Sequence, residues 1–362
     1  MTEAEAGLLD LVTIEDGLRL QSDDPFRPDE RTDRVRGRLD ALLVAARVAP
    51  LTRHVGLVPT VVVTHTEPFH ASKAVATLDH VSSGRAGVRV QVAARPDTAA
   101  HFGRREPAGG PRPARPDGPV VAAADRRACS TRPPTTSRCC AGSGTTGRTT
   151  PRSATSPPAA SSTATSLHAI DFVGEHFSVR GPSITPRPPQ GQPVVAALAH
   201  AEVPYRLVGR AADLGFVTPR DEADAADLVA QVAAQQRAAG RADERVHVFG
   251  DLVVLLDERE ATARARRERL DLVAGEQFTS DATVFAGTPA QPGRPADRLA
   301  RRRADRVPAA PGDGAARPAA GHPRAGARAA APGLFRTAYP AAGTTLRGLL
   351  GLPRPASRYA LA

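Results

Sequence analysis

The chain has 362 residues, of which 41% are hydrophobic, and it carries a formal net charge of +10. This length allows one large domain or two ordinary ones, with enough apolar material to bury a core. No apolar run reaches the roughly 18 residues that a membrane-spanning helix needs, and the acidic start at 1–10 lacks the basic region of a secretory signal. These features argue against a membrane-spanning or secreted protein and predict a cytoplasmic location.

The positive charge is concentrated in two low-complexity segments, 104–166 and 286–333. Residues 104–165 hold ten Arg against three acids, and residues 286–333 hold nine Arg against three Asp. Neither stretch contains an aromatic residue. Because so little apolar surface is available to offset the entropy of ordering the chain, we expect both segments to be disordered as written.

Both segments have the composition of a GC-rich gene read in the wrong frame. Arginine outnumbers lysine throughout the chain, with Lys73 as its only lysine. Regrouping plausible codons for residues 129–151 gives a string with apolar residues at helical spacing, which the written sequence lacks. We therefore predict that 104–166 and 286–333 are frameshifted, and the alternative is a genuine disordered insert.

The three remaining blocks, 1–103, 167–285 and 334–362, contain alternating strand and helix patterns. In the first block, a nearly continuous apolar run predicts a buried strand at 8–15, and 54–63 and 87–93 are also predicted to be strands. Helical spacing of apolar residues predicts helices at 32–49 and 68–78. Such alternation with short links is the pattern of a parallel α/β fold, either a barrel or a doubly wound sheet.

The second and third blocks continue this pattern. We predict a hairpin within 172–187, strands at 192–198 and 214–218, and one long strand at 246–256. Predicted helices lie at 204–212, 224–239 and 258–273. The last block, 334–362, is predicted to be a tail that crosses the domain surface.

Three stretches of the sequence carry a family resemblance. They are 45–87, which ends in TLDHVSSGRAG, then 172–190, which ends in PRPPQG, and 346–359, which reads LRGLLGLPRPASRY. Together these stretches resemble the bacterial luciferase-like flavin monooxygenases. The most similar branch is that of nitrilotriacetate monooxygenase, the pristinamycin synthase subunit and long-chain alkane monooxygenase.

This resemblance implies a (β/α)8 TIM barrel with a flavin at the carboxyl ends of the strands. It implies a monooxygenase that uses O2 and FMN, reduced by a separate flavin reductase, on a small-molecule substrate; F420 replaces FMN in some branches. It also allows a homodimer. Because the chain begins near the end of the family's first helix, we expect an incomplete barrel without the first strand.

The resemblance also singles out candidate site residues. Positions that correspond to flavin-proximal groups are Asp16, Thr60, Arg89, Gln91, Ala199 and His200. Asp16 has the alternative of a helix N-cap or a solvated loop acid, and Thr60 of packing within its strand. His65 and His70, at a strand-to-helix turn, are candidates for acid/base chemistry or substrate contact, although histidines at turns are usually structural or solvated.

One departure from the family pattern concerns the cofactor's phosphate. Where the family has a turn rich in glycine and serine at a helix start, residues 197–204 read ALAHAEVP. No glycine or hydroxyl group remains there, and Glu202 would repel a phosphate. The sequence therefore allows two alternatives, an FMN-dependent monooxygenase and a non-catalytic relic of the barrel.

A basic polyanion or nucleic-acid binder is the second alternative, suggested by Arg126, Arg127 and the run 301–303. These arginines lack interleaved aromatic residues for base stacking and match no nucleic-acid-binding motif, so we expect no nucleic-acid partner. The three cysteines, Cys129, Cys139 and Cys140, do not have the spacing of a zinc site. We therefore predict no metal site.

Overall fold

The computed structural model describes residues 1–22, 32, 35–93, 96–102, 168–174, 177–288 and 336–357. The predicted low-complexity segments lie outside the described residues, apart from positions 286–288 at the start of the second. None of the helices in the described ranges is long and apolar enough to cross a membrane.

The described elements alternate between helix and strand. The helices are α1 (Thr2–Ala6), α2 (Ala41–Val48), α3 (Pro68–Val81), α4 (Pro96–Ala100), α5 (Glu202–Ala211), α6 (Glu222–Ala238), α7 (Glu260–Ala274) and α8 (Leu346–Leu349), with a 3-10 turn at Ala49–Leu51. The strands are β1 (Leu11–Ile14), β2 (Gly56–Val62), β3 (Gly87–Gln91), β4 (Phe172–Val173), β5 (Ser178–Val179), β6 (Val194–Leu198), β7 (Leu214–Val217), β8 (His247–Gly250), β9 (Leu252–Leu256) and β10 (Thr283–Gly287). The fold is thus mixed α/β, as the sequence pattern predicts.

The chain divides into two compact units. The first unit comprises Met1–Val12, Val48–Gly56 and Ala196–Pro353. The second unit comprises Thr13–Arg47, Leu57–Val195 and Arg354–Ala362.

In the second unit, β2 and β3 form a parallel pair in which Thr60 lies opposite Arg89 and Val62 opposite Gln91. All seven residues of β2 are buried, which explains its continuous apolar sequence. Gly87, the first residue of β3, packs closely against Val58 of β2. A Cβ atom at position 87 would lie 2.9 Å from Cγ2 of Val58. The predicted hairpin is present as the antiparallel pair β4 and β5.

A buried polar network in the second unit joins two of the sequence stretches that carry the resemblance. Asp79, near the end of α3, accepts hydrogen bonds from the backbone N–H of Ala86 and of Gln190, each at 3.2 Å. The Gln190 side chain donates to Asp79 and, at 2.7 Å, to the carbonyl oxygen of Ala86. Since Asp79 and Gln190 are almost fully buried, these bonds fix the loop before β3 against the proline-rich stretch before β6.

In the first unit, β6, β7 and β8 are parallel and follow that order in the sheet. Helices α5 and α6 pack closely at Gly209, where a Cβ atom would lie 2.6 Å from the backbone of Gln235. The core of this unit is aliphatic and includes Val208, Leu214 and Val232.

Three sequence predictions about element boundaries are wrong. The predicted helix 32–49 begins only at Ala41, because Asp40 caps the backbone N–H of Leu43 at 2.9 Å. The apolar residues Val35 and Leu39 before it are 83% and 79% exposed. Apolar spacing alone therefore overestimated the length of this helix.

The predicted long strand 246–256 is two strands. The backbone N–H of Asp251 still bonds to the carbonyl oxygen of Val217, at 2.8 Å, but β9 then pairs in parallel with β10 in a separate sheet. Gly250 and Asp251 interrupt the apolar run where the two strands separate, and the sequence prediction had included them in one strand.

The predicted surface tail contains a buried helix. Leu346 in α8 is fully buried, and Arg347 forms a buried ion pair with Asp213 at 2.8 Å. The His247 ring nitrogen Nε2 lies 2.9 Å from the carbonyl oxygen of Leu350. This short segment is therefore part of the core of the first unit.

Candidate functional site

Asp16 follows β1 and lies at the carboxyl end of that strand. One of its carboxylate oxygens accepts the backbone N–H of Gly17 at 2.7 Å, and the other accepts that of Ala41, the first residue of α2, at 2.9 Å. This second bond satisfies a helix N-terminus from a distant part of the chain. Asp16 thus fixes the loop after β1 against the start of α2.

Asp16 and Gln91 line one open cleft in the second unit, with a volume of about 440 Å³. Gln91 ends β3, so each residue comes from the carboxyl end of a strand. The other lining residues come from two segments that both precede α2 in the sequence: Glu15, Gly17, Arg19, Leu20, Gln21, Ser22, Val35, Arg36 and Arg38. Parallel α/β folds place their functional residues at this end of the strands.

Thr60 and Arg89 are joined directly. Arg89 Nε donates to Thr60 Oγ1 at 2.8 Å across the β2–β3 pair. Thr60 is only 1% exposed, so its hydroxyl holds the arginine while its remaining surface packs in the strand. Just beyond the carboxyl ends of the same two strands, Thr64 Oγ1 accepts the backbone N–H of Ala93 at 2.9 Å.

The two candidate histidines lie in different environments. His65 is buried and stacks on Phe102, with ring centroids 5.0 Å apart and an interplanar angle of 10°. His70 is exposed in the first turn of α3. Neither histidine is among the residues that line the cleft.

Ala199 and His200 follow β6 in the first unit. Ala199 is 1% exposed and donates its backbone N–H to Phe216 at 2.8 Å. His200 Nδ1 lies 3.3 Å from Thr218 Oγ1 and 3.7 Å from a carboxylate oxygen of Asp281. These contacts place the imidazole between a hydroxyl and a carboxylate at the carboxyl end of β6.

The start of α5 does not fit the phosphate group of a flavin nucleotide. Its N-cap residue, Ala201, makes no side-chain hydrogen bond to the helix. Glu202 adds a carboxylate in the first turn, where it pairs with Arg206 at 2.9 Å. Pro204 has no backbone N–H to donate. A helix start with a negative side chain and a missing donor is a poor anion site.

The cleft also contains residues that the sequence predictions missed, namely Arg19, Arg36 and Arg38. Arg38 pairs with Glu15 at 2.9 Å. The backbone N–H of Gln21 donates to the carbonyl oxygen of Arg36 at 2.9 Å, which brings the two segments together. Basic residues alternate at 36 and 38 with period 2, a strand-like signal that the erroneous helix prediction over 32–49 concealed.

No group of three or more metal-ligating side chains occurs within the described ranges.

Comparison with known proteins gives a consistent result. The sequence profile of a family described as "Luciferase-like monooxygenase" matches residues 25–117 and 161–333. Nitrilotriacetate monooxygenase component A of Aminobacter aminovorans is 29% identical over 280 residues, which cover 76% of this chain and 58% of that protein. Dibenzothiophene-sulfone monooxygenase of Rhodococcus erythropolis is 28% identical over 273 residues, which cover 74% and 56%. The chain therefore spans a little over half the length of these relatives.

Solved structures show the same fold. EDTA monooxygenase from Chelativorans sp. BNC1 superposes with a TM-score of 0.73 at 20% identity, covering 98% of this chain and 90% of that one. Long-chain alkane monooxygenase superposes with a TM-score of 0.61 at 16% identity, covering 83% and 75%. The family profile accounts for most of the sequence, and the resemblance predicted from three short stretches is confirmed. The chain belongs to the luciferase-like monooxygenase family.

Proposed function

We propose that this chain is the oxygenating component of a two-component flavin monooxygenase. It would act on a small organic substrate with O2 and with FMN that a separate reductase supplies in reduced form. The observation that carries this proposal is the cleft of about 440 Å³ that Asp16 and Gln91 both line. Family membership supports it, because a relative at 29% identity is named as component A of a monooxygenase.

Four polar side chains of the second unit have distinct tasks under the proposal; Asp16 and Gln91 line the cleft, whereas Thr60 and Arg89 do not. Asp16 holds the loop after β1 in place through its two backbone bonds. Thr60 fixes the Arg89 guanidinium, and Gln91 presents an amide to the cleft. Placing such groups on a rigid parallel sheet lets a site orient its ligand with little motion.

A second candidate function is that of a non-catalytic member of the family. The start of α5 favours it, because Glu202 and Pro204 occupy positions where the family resemblance places a phosphate-binding turn. Such a chain would keep the fold and lose the cofactor.

Flavin reactivity separates the two candidates. The full chain is mixed anaerobically with reduced FMN and then with O2, and flavin reoxidation is followed by absorbance. A monooxygenase component binds the reduced flavin stoichiometrically and changes its reoxidation rate relative to free FMN. A non-catalytic member leaves that rate unchanged. Repeating the titration with F420 decides between the two cofactors.

A pair of variants connects the result to the cleft. Gln91→Ala removes an amide that lines it, whereas Gln231→Ala removes an exposed amide on α6. We expect only the first substitution to alter the reoxidation kinetics. Equal behaviour of the two variants would place the flavin chemistry elsewhere.

We also propose that segments 104–166 and 286–333 are encoded out of frame, and that restored frames would add helix and strand material to an incomplete (β/α)8 barrel. The family match omits residues 118–160, inside the first segment, and runs through the second. Resequencing the coding DNA across both segments tests this directly. Missing or extra bases at the segment edges support the proposal, and an unchanged sequence contradicts it.

A further inference from the structure

The cleft of the second unit has an unusual balance of charges. Among the residues that the structure describes, two acids and three arginines line it. Both of these acids are already engaged: Asp16 accepts two backbone N–H groups, and Glu15 pairs with Arg38 at 2.9 Å. The described carboxylates of the cleft are therefore bound to its own framework.

Arg19 differs from the other two arginines. Arg38 has its partner in Glu15, and Arg36 Nε contacts the carbonyl oxygen of Gln21 at 3.4 Å. Arg19 is half-buried, and it makes no hydrogen bond or ion pair with any residue that the structure describes. A guanidinium that is partly removed from water and has no anionic partner lowers its energy by binding one.

Ligand size and polarity follow from the same lining. A volume of about 440 Å³ falls in the range of small-molecule sites, which span about 300–1,000 Å³. Among its described lining residues, Leu20 and Val35 are the aliphatic ones, and both are exposed. A hydrocarbon would find little surface to bury there, whereas a polar anion would find donors on several sides.

We propose that this cleft binds a carboxylate of a small organic acid, with the Arg19 guanidinium as its main partner and Arg36 beside it. Arginine suits this task because its planar fork donates two parallel hydrogen bonds to a carboxylate. The proposal rests on the proposed function and deepens it by naming the substrate class as organic acids.

Binding of tricarballylate, a flexible tricarboxylate, to the full chain tests the proposal by calorimetry, without flavin or O2. The test variant is Arg19→Gln, and the matched control is Arg266→Gln, which removes an exposed arginine from α7. Losing a charge-assisted hydrogen-bonded pair weakens binding by about tenfold or more. We expect this loss in Arg19→Gln and little change in the control, with Arg19→Lys between the two because it keeps only the charge.

Thermal unfolding of the variants and binding of a second ligand complete this test. Thermal unfolding of each variant shows whether Arg19→Gln is folded, and Arg19→Lys serves as the test variant if it is not. Equal weakening by Arg19→Gln and Arg266→Gln would mean general electrostatic attraction and would overturn the proposal.

Inorganic phosphate is the second ligand tested, since a guanidinium also binds phosphate. Tighter binding of phosphate than of tricarballylate would assign the cleft to a phosphate group and overturn the carboxylate assignment. Because these measurements contain no flavin, a failure here is distinguishable from a failure of the oxygenation test.

Discussion

Two regions to which the family resemblance points are built very differently. The network of Asp79, Ala86 and Gln190 is buried, and each of its polar groups has a partner. The start of α5, where the resemblance predicts a phosphate-binding turn, has an uncapped alanine, a carboxylate and a proline. The recognisable stretches of this chain therefore hold its scaffold together, whereas the predicted phosphate position lacks the groups that would bind a phosphate.

The C-terminal stretch follows the same pattern. Its Arg347 neutralises the buried Asp213, and its Leu350 carbonyl oxygen meets His247. Both contacts secure β7 and β8 rather than a ligand. A resemblance carried by such residues predicts the fold more strongly than it predicts a cofactor.

Replacing Arg347 by Ala should have the largest effect. The substitution leaves the Asp213 carboxylate buried without its partner, and breaking a buried pair in this way costs about 3–5 kcal/mol. We expect a correspondingly lower free energy of unfolding in urea. Arg264→Ala, which removes one member of an exposed pair on α7, is the control and should change stability little. Similar losses in both variants would show that the Arg347 pair is not a scaffold contact.

Replacing Asp79 by Ala should be the next most damaging change. It removes the acceptor for two backbone N–H groups and for the Gln190 amide. Because each unsatisfied buried donor costs about 1–3 kcal/mol, we expect a loss of about 3 kcal/mol. Thermal or urea unfolding measures it, with exposed Asp243→Ala as the matched control. A loss no greater than that of the control would show that this network does not stabilise the folded chain.

A third change tests the start of α5, the second of the two regions compared. Glu202→Gln combined with Pro204→Ser removes the carboxylate and restores a backbone N–H at the start of α5. We expect FMN to bind about three- to tenfold more tightly, with riboflavin unaffected, because only FMN has a phosphate to gain from the helix start. Fluorescence titration with both flavins measures the ratio. The control, Glu222→Gln at the start of α6, should leave it unchanged; an equal gain for riboflavin would point to a cause other than the phosphate.

Much of the scaffold could be predicted from the sequence. The strands predicted at 54–63, 87–93, 192–198 and 214–218 correspond to β2, β3, β6 and β7. The run at 8–15, predicted to be buried on both faces, contains β1, whose four residues are only half-buried. The proline at position 68 correctly marked the start of α3. The hairpin of β4 and β5 was also predicted correctly.

The candidate site was harder to predict, since it depends on contacts between distant residues. Asp16 was suggested by resemblance, but its bond to Ala41 spans 25 positions and has no local signal. Arg36 was missed because the stretch 32–40 was taken as part of a helix, and Arg19 was missed because it lies in a loop without a pattern of its own. Only the three-dimensional structure shows that these arginines share a cleft with Gln91.

The smallest expected effect is a pH dependence that sharpens the role of Asp79. Burial raises the pKa of this carboxyl group above its ordinary value, although hydrogen bonds from Gln190 and from the Ala86 N–H oppose the shift. The folded chain therefore holds the proton more tightly than the unfolded chain does. As the pH rises from the ordinary aspartate range through the raised pKa, the contribution of Asp79 to the free energy of unfolding must fall.

Asp79→Asn has no proton to lose and isolates this contribution. We expect the stability difference between wild type and Asp79→Asn to shrink as the pH rises through that window and to level off above it. Urea unfolding of both proteins at a series of pH values measures the difference. A difference that grows with pH would mean that the hydrogen bonds outweigh burial and lower the pKa of Asp79. The network would then stabilise the charged carboxylate outright, and its contribution to the scaffold at neutral pH would be larger than the structure indicates.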